Sequence, residues 1–149
     1  SAWFLYVTAI LLLATRWAPK PRVEVAASPT VSQALAMGLA QACAILPGMS
    51  RSGSTITAGL FARLDRRLAG TFSFLMSIPV VLGAIILKSP DLAGADLDWA
   101  PLLVAFAAAF LVGIVALRWL LRLVRHGRLW YFSIYLVIVA TAWLLYAGR

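Results

Sequence analysis

The chain has 149 residues, 63% of them hydrophobic and 12% charged, and 13 Lys and Arg against five Asp and Glu give a net charge of +8. Soluble domains are roughly half apolar and about one-quarter charged, so this composition excludes an ordinary soluble enzyme, a disordered chain and a disulfide-stapled secreted domain. Cys43 is the only cysteine, and one Cys with one His makes neither a disulfide nor a Cys/His metal site. The class expected is an all-α, polytopic integral membrane protein forming a single membrane domain over residues 1–149.

In chain order, residues 1–16 read as a truncated span. The apolar run starts at Ser1 without a polar flank, carries no signal-peptide cleavage site, and is shorter than the roughly 17 residues a spanning helix needs. The expectation is a fragment cut inside a helix. A Pro- and charge-rich loop follows over residues 16–29, and then an apolar segment, 30–46, dotted with Gln33, Gly38 and Gln41. That segment stops at Pro47-Gly48, and a second helical pattern is expected over 54–64. Residues 70–87 form a span with Pro79 and Gly83, and 88–100 form an acidic loop with Asp91, Asp96 and Asp98. Spans at 101–121 and 129–147 flank a basic loop, and all six Trp lie near proposed span ends, as an aromatic belt places them. Ala34, Gly38 and Ala42 recur every four residues and offer a smooth face for helix packing.

Charge decides how residues 30–64 are threaded. A single crossing would put Arg16, Lys20 and Arg22 on the opposite side from Arg63, Arg66, Arg67, Arg118, Arg122, Arg125 and Arg128. A re-entrant, broken-helix hairpin puts all ten on one side and the three-Asp loop on the other, which obeys the positive-inside tendency. The limbs are then unequal, about 25 and 15 Å long for ~17 and ~10 residues. The same threading accounts for the +8 charge without a nucleic-acid partner. It also puts the Arg-rich loops in the cytoplasm.

Non-helical backbone at membrane depth must line protein or a polar cleft, so the hairpin tip is the candidate site. Arg51 is the one charged residue between Glu24 and Arg63, and an ionisable group inside a membrane is a functional hypothesis by default. Its planar donor fork suits phosphate oxygens. Ser50, Ser52, Ser54 and Thr55 add hydroxyls, Gly48 and Gly53 allow close approach, and a helix N-terminus near Ser54 adds free N–H groups. Together these make an anion cradle, with Pro47 and Gly48 structural at its tip. Gly48 and Gly53 have P-loop spacing, but Ser54 stands where the Lys belongs and no strand precedes it.

Residues 33–41 (QALAMGLAQ), 45–56 (ILPGMSRSGSTI) and 72–79 (FSFLMSIP) closely resemble the undecaprenyl-diphosphate phosphatase family of the bacitracin-resistance (BacA) type. The likeness is specific over about 33–83 and rests elsewhere on hydropathy and order. It implies the second half of an inverted-repeat fold, located in a bacterial cytoplasmic (inner) membrane as a multi-pass protein. It also implies hydrolysis of undecaprenyl diphosphate to the monophosphate, which recycles the lipid carrier for peptidoglycan synthesis. The family's PGxSRSxxT pattern falls on Pro47, Gly48, Ser50, Arg51, Ser52 and Thr55. By that likeness Arg51, Ser50 and Thr55 are catalytic, and Arg51, Ser52, Gly53, Ser54 and Thr55 bind the substrate phosphate.

The family's other motif, a Glu-rich helix with a nearby His, has no counterpart here. Glu24, Asp65, Asp91, Asp96 and Asp98 fall in loops or at helix ends, and His126 is expected to be solvated. No metal ligand is therefore expected in this chain. The divalent cation that the resemblance implies, Mg²⁺ or Ca²⁺, would be held by the missing N-terminal repeat, and the fragment alone should catalyse little. The partners expected are a polyprenyl diphosphate, the bilayer, that missing repeat and a homodimer mate. The rival reading is half of a transporter or flippase for an anionic or lipid-phosphate substrate, since broken helices in inverted repeats also serve transport.

Overall fold

The computed structural model describes residues 2–21, 28–92 and 98–147, and its regular structure is entirely helical. Arg22, Glu24 and Asp96, and the side chain of Asp91, lie outside the described residues. Seven α-helices follow in order: α1 (Ala2–Ala14, continued by a 3-10 turn at Thr15–Trp17), α2 (Val31–Cys43), α3 (Arg51–Phe61), α4 (Arg66–Leu75), α5 (Ser77–Leu92), α6 (Trp99–Arg125) and α7 (Tyr131–Ala147).

The α2–α3 hairpin begins with a capping box. The Thr30 hydroxyl accepts the Gln33 N–H and the Gln33 side chain accepts the Thr30 N–H, satisfying two donors that a bare helix start would leave free. Gln33 Nε2 then donates to the Ala62 carbonyl at 3.0 Å, tying the start of one limb to the end of the other. Met37 is fully buried against Gly59, where an added Cβ would lie 3.0 Å from the Met37 sulfur. The limbs have 13 and 11 residues, about 20 and 17 Å at 1.5 Å per residue. They are therefore closer in length than the sequence suggested. Residues 44–46 bond back as a turn rather than extending α2.

Two turns end helices by the same device. After α3 the Leu64 N–H reaches the Gly59 carbonyl, and after α6 the Arg128 N–H reaches the Leu123 carbonyl, each across a left-handed residue. At α6 that residue is Gly127 (φ 68); at α3 it is Arg63 (φ 61), where a side chain makes the conformation costly.

The sequence places a span at residues 70–87, but the helix begins earlier, at Arg66, because Asp65 caps it by accepting the Leu68 N–H at 3.2 Å. It breaks at Met76 between α4 and α5. Pro79 has no N–H for the Leu75 carbonyl four residues back, and its ring crowds that carbonyl. Beside the break the Ser77 hydroxyl donates to the Phe74 carbonyl.

α3 is the centre of the packing. Seven of its residues, Gly53 to Thr57 with Gly59 and Leu60, are buried between α1, α2 and α4. α4 lies against α6, with Gly70 beside Leu121 and Val124, while α7 runs antiparallel to α1. Tyr6 donates to Thr141 at 2.8 Å at one end of the α1–α7 pair, and Arg16 sits 5.4 Å over the Trp130 ring at the other. Arg16, Arg63, Arg66 and the α6–α7 turn thus share one end of the molecule.

Two stretches, Arg66–Pro90 (broken at Met76) and Trp99–Arg125, are long and apolar enough to cross a membrane, and little or none of the most apolar part of each is buried inside the chain. On the face of Ala34, Gly38 and Ala42, a Cβ added at Gly38 would find nothing within 4 Å among the described residues.

Candidate functional site

The tip of the hairpin is a turn dictated by its residues. The Met49 N–H donates to the Leu46 carbonyl at 3.1 Å, Pro47 takes the first central position, and Gly48 takes the second at φ 98. A positive φ there is what a type II turn requires and what glycine supplies without strain.

α3 starts at Arg51, three residues before the position expected from sequence, because Ser50 is its cap. The Ser50 hydroxyl accepts the Gly53 N–H at 3.1 Å and its carbonyl accepts the Ser54 N–H at 2.9 Å. Ser52 and Ser54 could each have capped a helix. Ser50 is selected by tertiary contact: its own N–H donates to Thr8 Oγ1 in α1 at 3.0 Å, fixing the chain at that point. Arg51, Ser52 and Gly53 therefore form the first turn of the helix rather than a loop. The N–H groups of Arg51 and Ser52 keep no intrahelical partner there.

Arg51 is held by three hydrogen bonds. Its Nε and Nη2 both donate to Gln41 Oε1, at 3.2 and 2.8 Å, and Nη2 also donates to the Met76 carbonyl at 3.0 Å. Three elements thus converge on one guanidinium: the last turn of α2, the first turn of α3 and the break between α4 and α5. None of these partners is charged. The Nη1 donors have no hydrogen-bond partner among the described residues.

The predicted phosphate ligands are divided by the fold. Ser50, Ser52 and Gly53 line a cavity of about 330 Å³ whose other walls are apolar, including Leu12, Trp119 and Phe132. The Arg51 side chain is turned away from it toward Gln41 and Met76. Ser54 and Thr55 face inward. The Ser54 hydroxyl donates to the Ser50 carbonyl, and Thr55 Oγ1 donates to the carbonyls of Arg51 and Ser52 while accepting from Ser73 at 2.6 Å. Thr55 is fully buried, so its hydroxyl braces the first turn of α3 against α4.

Residue types alone did not single out Gln41, Ser73, Thr8 and the Met76 carbonyl. The available signal was polarity out of place, and it is clearest for Thr8, which interrupts the apolar run of α1. His126 caps α6 at the exposed surface, its Nδ1 2.7 Å from the Arg122 carbonyl. Among the described residues no group of three or more His, Cys, Asp or Glu could hold a metal ion.

The family described as "Bacitracin resistance protein BacA" matches residues 1–142, and the chain belongs to that family. It is 45% identical over 136 residues to an undecaprenyl-diphosphatase of Treponema denticola, covering 90% of this chain and 50% of that protein. It is 40% identical over 139 residues to one of Methanobrevibacter smithii, covering 93% and 50% of the two chains. Against one of Parabacteroides distasonis the identity is 44% over 140 residues, or 90% and 51%. The chain spans about half the length of the curated relatives it matches.

Proposed function

We propose that this chain supplies one half of the phosphate site of an undecaprenyl-diphosphate phosphatase. Its substrate is a polyprenyl diphosphate in the bacterial inner membrane and its products are the lipid monophosphate and inorganic phosphate. The observation that carries the reading is Arg51, a guanidinium held by uncharged partners at the start of α3, in a chain whose relatives bear that name.

The geometry favours a re-entrant hairpin. Thr8, which meets the tip at Ser50, lies eight residues before Arg16, and Met76 lies ten residues beyond Arg66. At 1.5 Å per residue the tip stands about 12–15 Å from the Arg-rich end, roughly half the ~30 Å hydrocarbon core. That end then faces the cytoplasm, with the start of α6 at the outer side. Membrane residence itself follows from the solvent that the apolar outer faces of α5 and α6 require.

Phosphoryl transfer needs positioning and charge neutralisation more than covalent chemistry from the protein. Arg51 Nη1 would clamp non-bridging oxygens of the diphosphate and stabilise charge on the transferring group. The free N–H groups of Arg51 and Ser52 add donors at the first turn of α3. Ser50, Ser54 and Thr55 act behind them by fixing that turn. The divalent cation expected for the family, and the base that activates water, would be supplied by the rest of the protein, since no group of three or more His, Cys, Asp or Glu among the described residues could hold a metal ion.

The test is Arg51→Ala in the full-length protein, assayed for phosphate release from a lipid diphosphate. Loss of one preorganised charge-stabilising donor costs about 10²–10³ in rate, so a drop of at least about 100-fold with folding intact is expected. Unchanged hydrolysis overturns the clamp. Arg51-dependent movement of the lipid across the bilayer without phosphate release would favour the transporter reading instead.

A further inference from the structure

We infer that Gln41 is a positioning residue whose neutrality matters as much as its geometry: it orients Arg51 without spending the charge that must meet the substrate. The inference rests on the phosphate-clamp reading of Arg51 and adds a residue to it.

A partly buried arginine is ordinarily paired with a carboxylate, because an uncompensated charge drawn out of water is costly. Arg51 is paired with an amide oxygen and a backbone carbonyl instead. Gln41 Oε1 takes both Nε and Nη2, which fixes the plane of the guanidinium, and the Met76 carbonyl takes the remaining Nη2 donor. That carbonyl stands where Pro79 interrupts the helix, so the second support is also built into the sequence. The side chain is left locked in direction, neutral in partners and open at Nη1. Such a group calls for a ligand that brings the missing negative charge, and a diphosphate does so.

The contrast with Gln33, eight residues earlier on the same helix, separates the two roles. Gln33 donates to the Ala62 carbonyl and closes a capping box, so its bonds are spent on holding the hairpin together. Gln41 at the other end of α2 accepts from the one charged side chain of the hairpin.

Gln41→Glu is nearly isosteric, and its carboxylate would accept the same two donors as a bidentate ion pair. Orientation survives, but the charge is neutralised and a fixed anion stands beside the diphosphate. Gln41→Met keeps the length and the neutrality and removes the acceptor, so Arg51 keeps its charge and loses its direction. The two variants should fail in different ways.

The experiment uses the full-length protein with farnesyl diphosphate as a short-chain substrate, and inorganic pyrophosphate as a ligand in thermal-shift measurements. Gln41→Glu is expected to raise KM at least about tenfold with a smaller change in kcat, and to abolish stabilisation by pyrophosphate. Gln41→Met is expected to lower kcat about tenfold or more, with a smaller change in KM and part of the pyrophosphate shift retained. Gln33→Met should lower the melting temperature and leave KM and kcat near wild type. If both Gln41 variants match wild type while Arg51→Ala is inactive, the inference fails and the phosphate clamp stands. If Arg51→Ala remains active, the clamp fails and the inference with it. If neither Gln41 variant folds, or both lower kcat and KM alike, Gln41 is a structural strut and the inference is overturned.

Discussion

The α2–α3 hairpin and helix α6 occupy the same chain under opposite rules. The hairpin is short and polar, and its groups are answered by neighbours: Ser50 by Thr8, Thr55 by Ser73, Gln33 by Ala62, Arg51 by Gln41 and Met76. α6 has 27 residues, and Val124 is its one buried residue among those described. Its Phe106, Phe110 and Val112 all point outward, two-thirds exposed or nearly so. The protein is therefore the solvent of α3 and of the polar groups of the hairpin, and something apolar outside the protein is the solvent of α6. Chemistry belongs in the first environment, where donors can be fixed; the second supplies immersion.

The largest test of that contrast is a charge at the centre of α6. Val112 is 67% exposed, so Val112→Lys would cost little if water surrounded the helix. In a bilayer a lysine at mid-span costs about 2.5–3.5 kcal/mol of insertion free energy. Insertion of α6, followed by glycosylation mapping of the flanking loops, should fall sharply in the variant. Unimpaired insertion would mean that α6 does not span, and the contrast would collapse.

Different parts of this arrangement were legible in the sequence for different reasons. Pro47-Gly48 announced its turn because φ preferences are local, and the all-helical, apolar character was carried by composition. The cap was harder. Ser50, Ser52 and Ser54 have the same local chemistry, and the choice among them came from Thr8, forty-two residues away. Gln41 and Met76 reach Arg51 only after the hairpin has closed in register and Pro79 has broken the following helix, so no local pattern announces them. Thr55 shows what motif reading alone does not reveal: its hydroxyl faces the interior and bonds Ser73. Arg16, Arg63 and Arg66 gather at one end of the molecule.

A smaller and more exacting comparison adds one methyl group to each environment. Gly59 of α3 is enclosed: a Cβ would stand 3.0 Å from the Met37 sulfur and 3.3 Å from the Ala69 Cβ. The methionine can swing, but Ala69 is carried on the backbone of α4, so the two helices must part by a few tenths of an ångström. Gly59→Ala should lower stability by about 1–2 kcal/mol, an ordinary cost of overpacking, measured by thermal unfolding in detergent or bicelles. Gly113 of α6 has nothing within 4 Å of the same added carbon. There the methyl meets no protein, and removing a helix-interior glycine gains roughly 0.5–1 kcal/mol of backbone entropy. Gly113→Ala should therefore leave the melting temperature unchanged or raise it slightly. A clear loss at Gly113 would mean that the other half of the protein, or a second copy, packs against α6 at that turn, and α6 would then share the hairpin's kind of solvent after all.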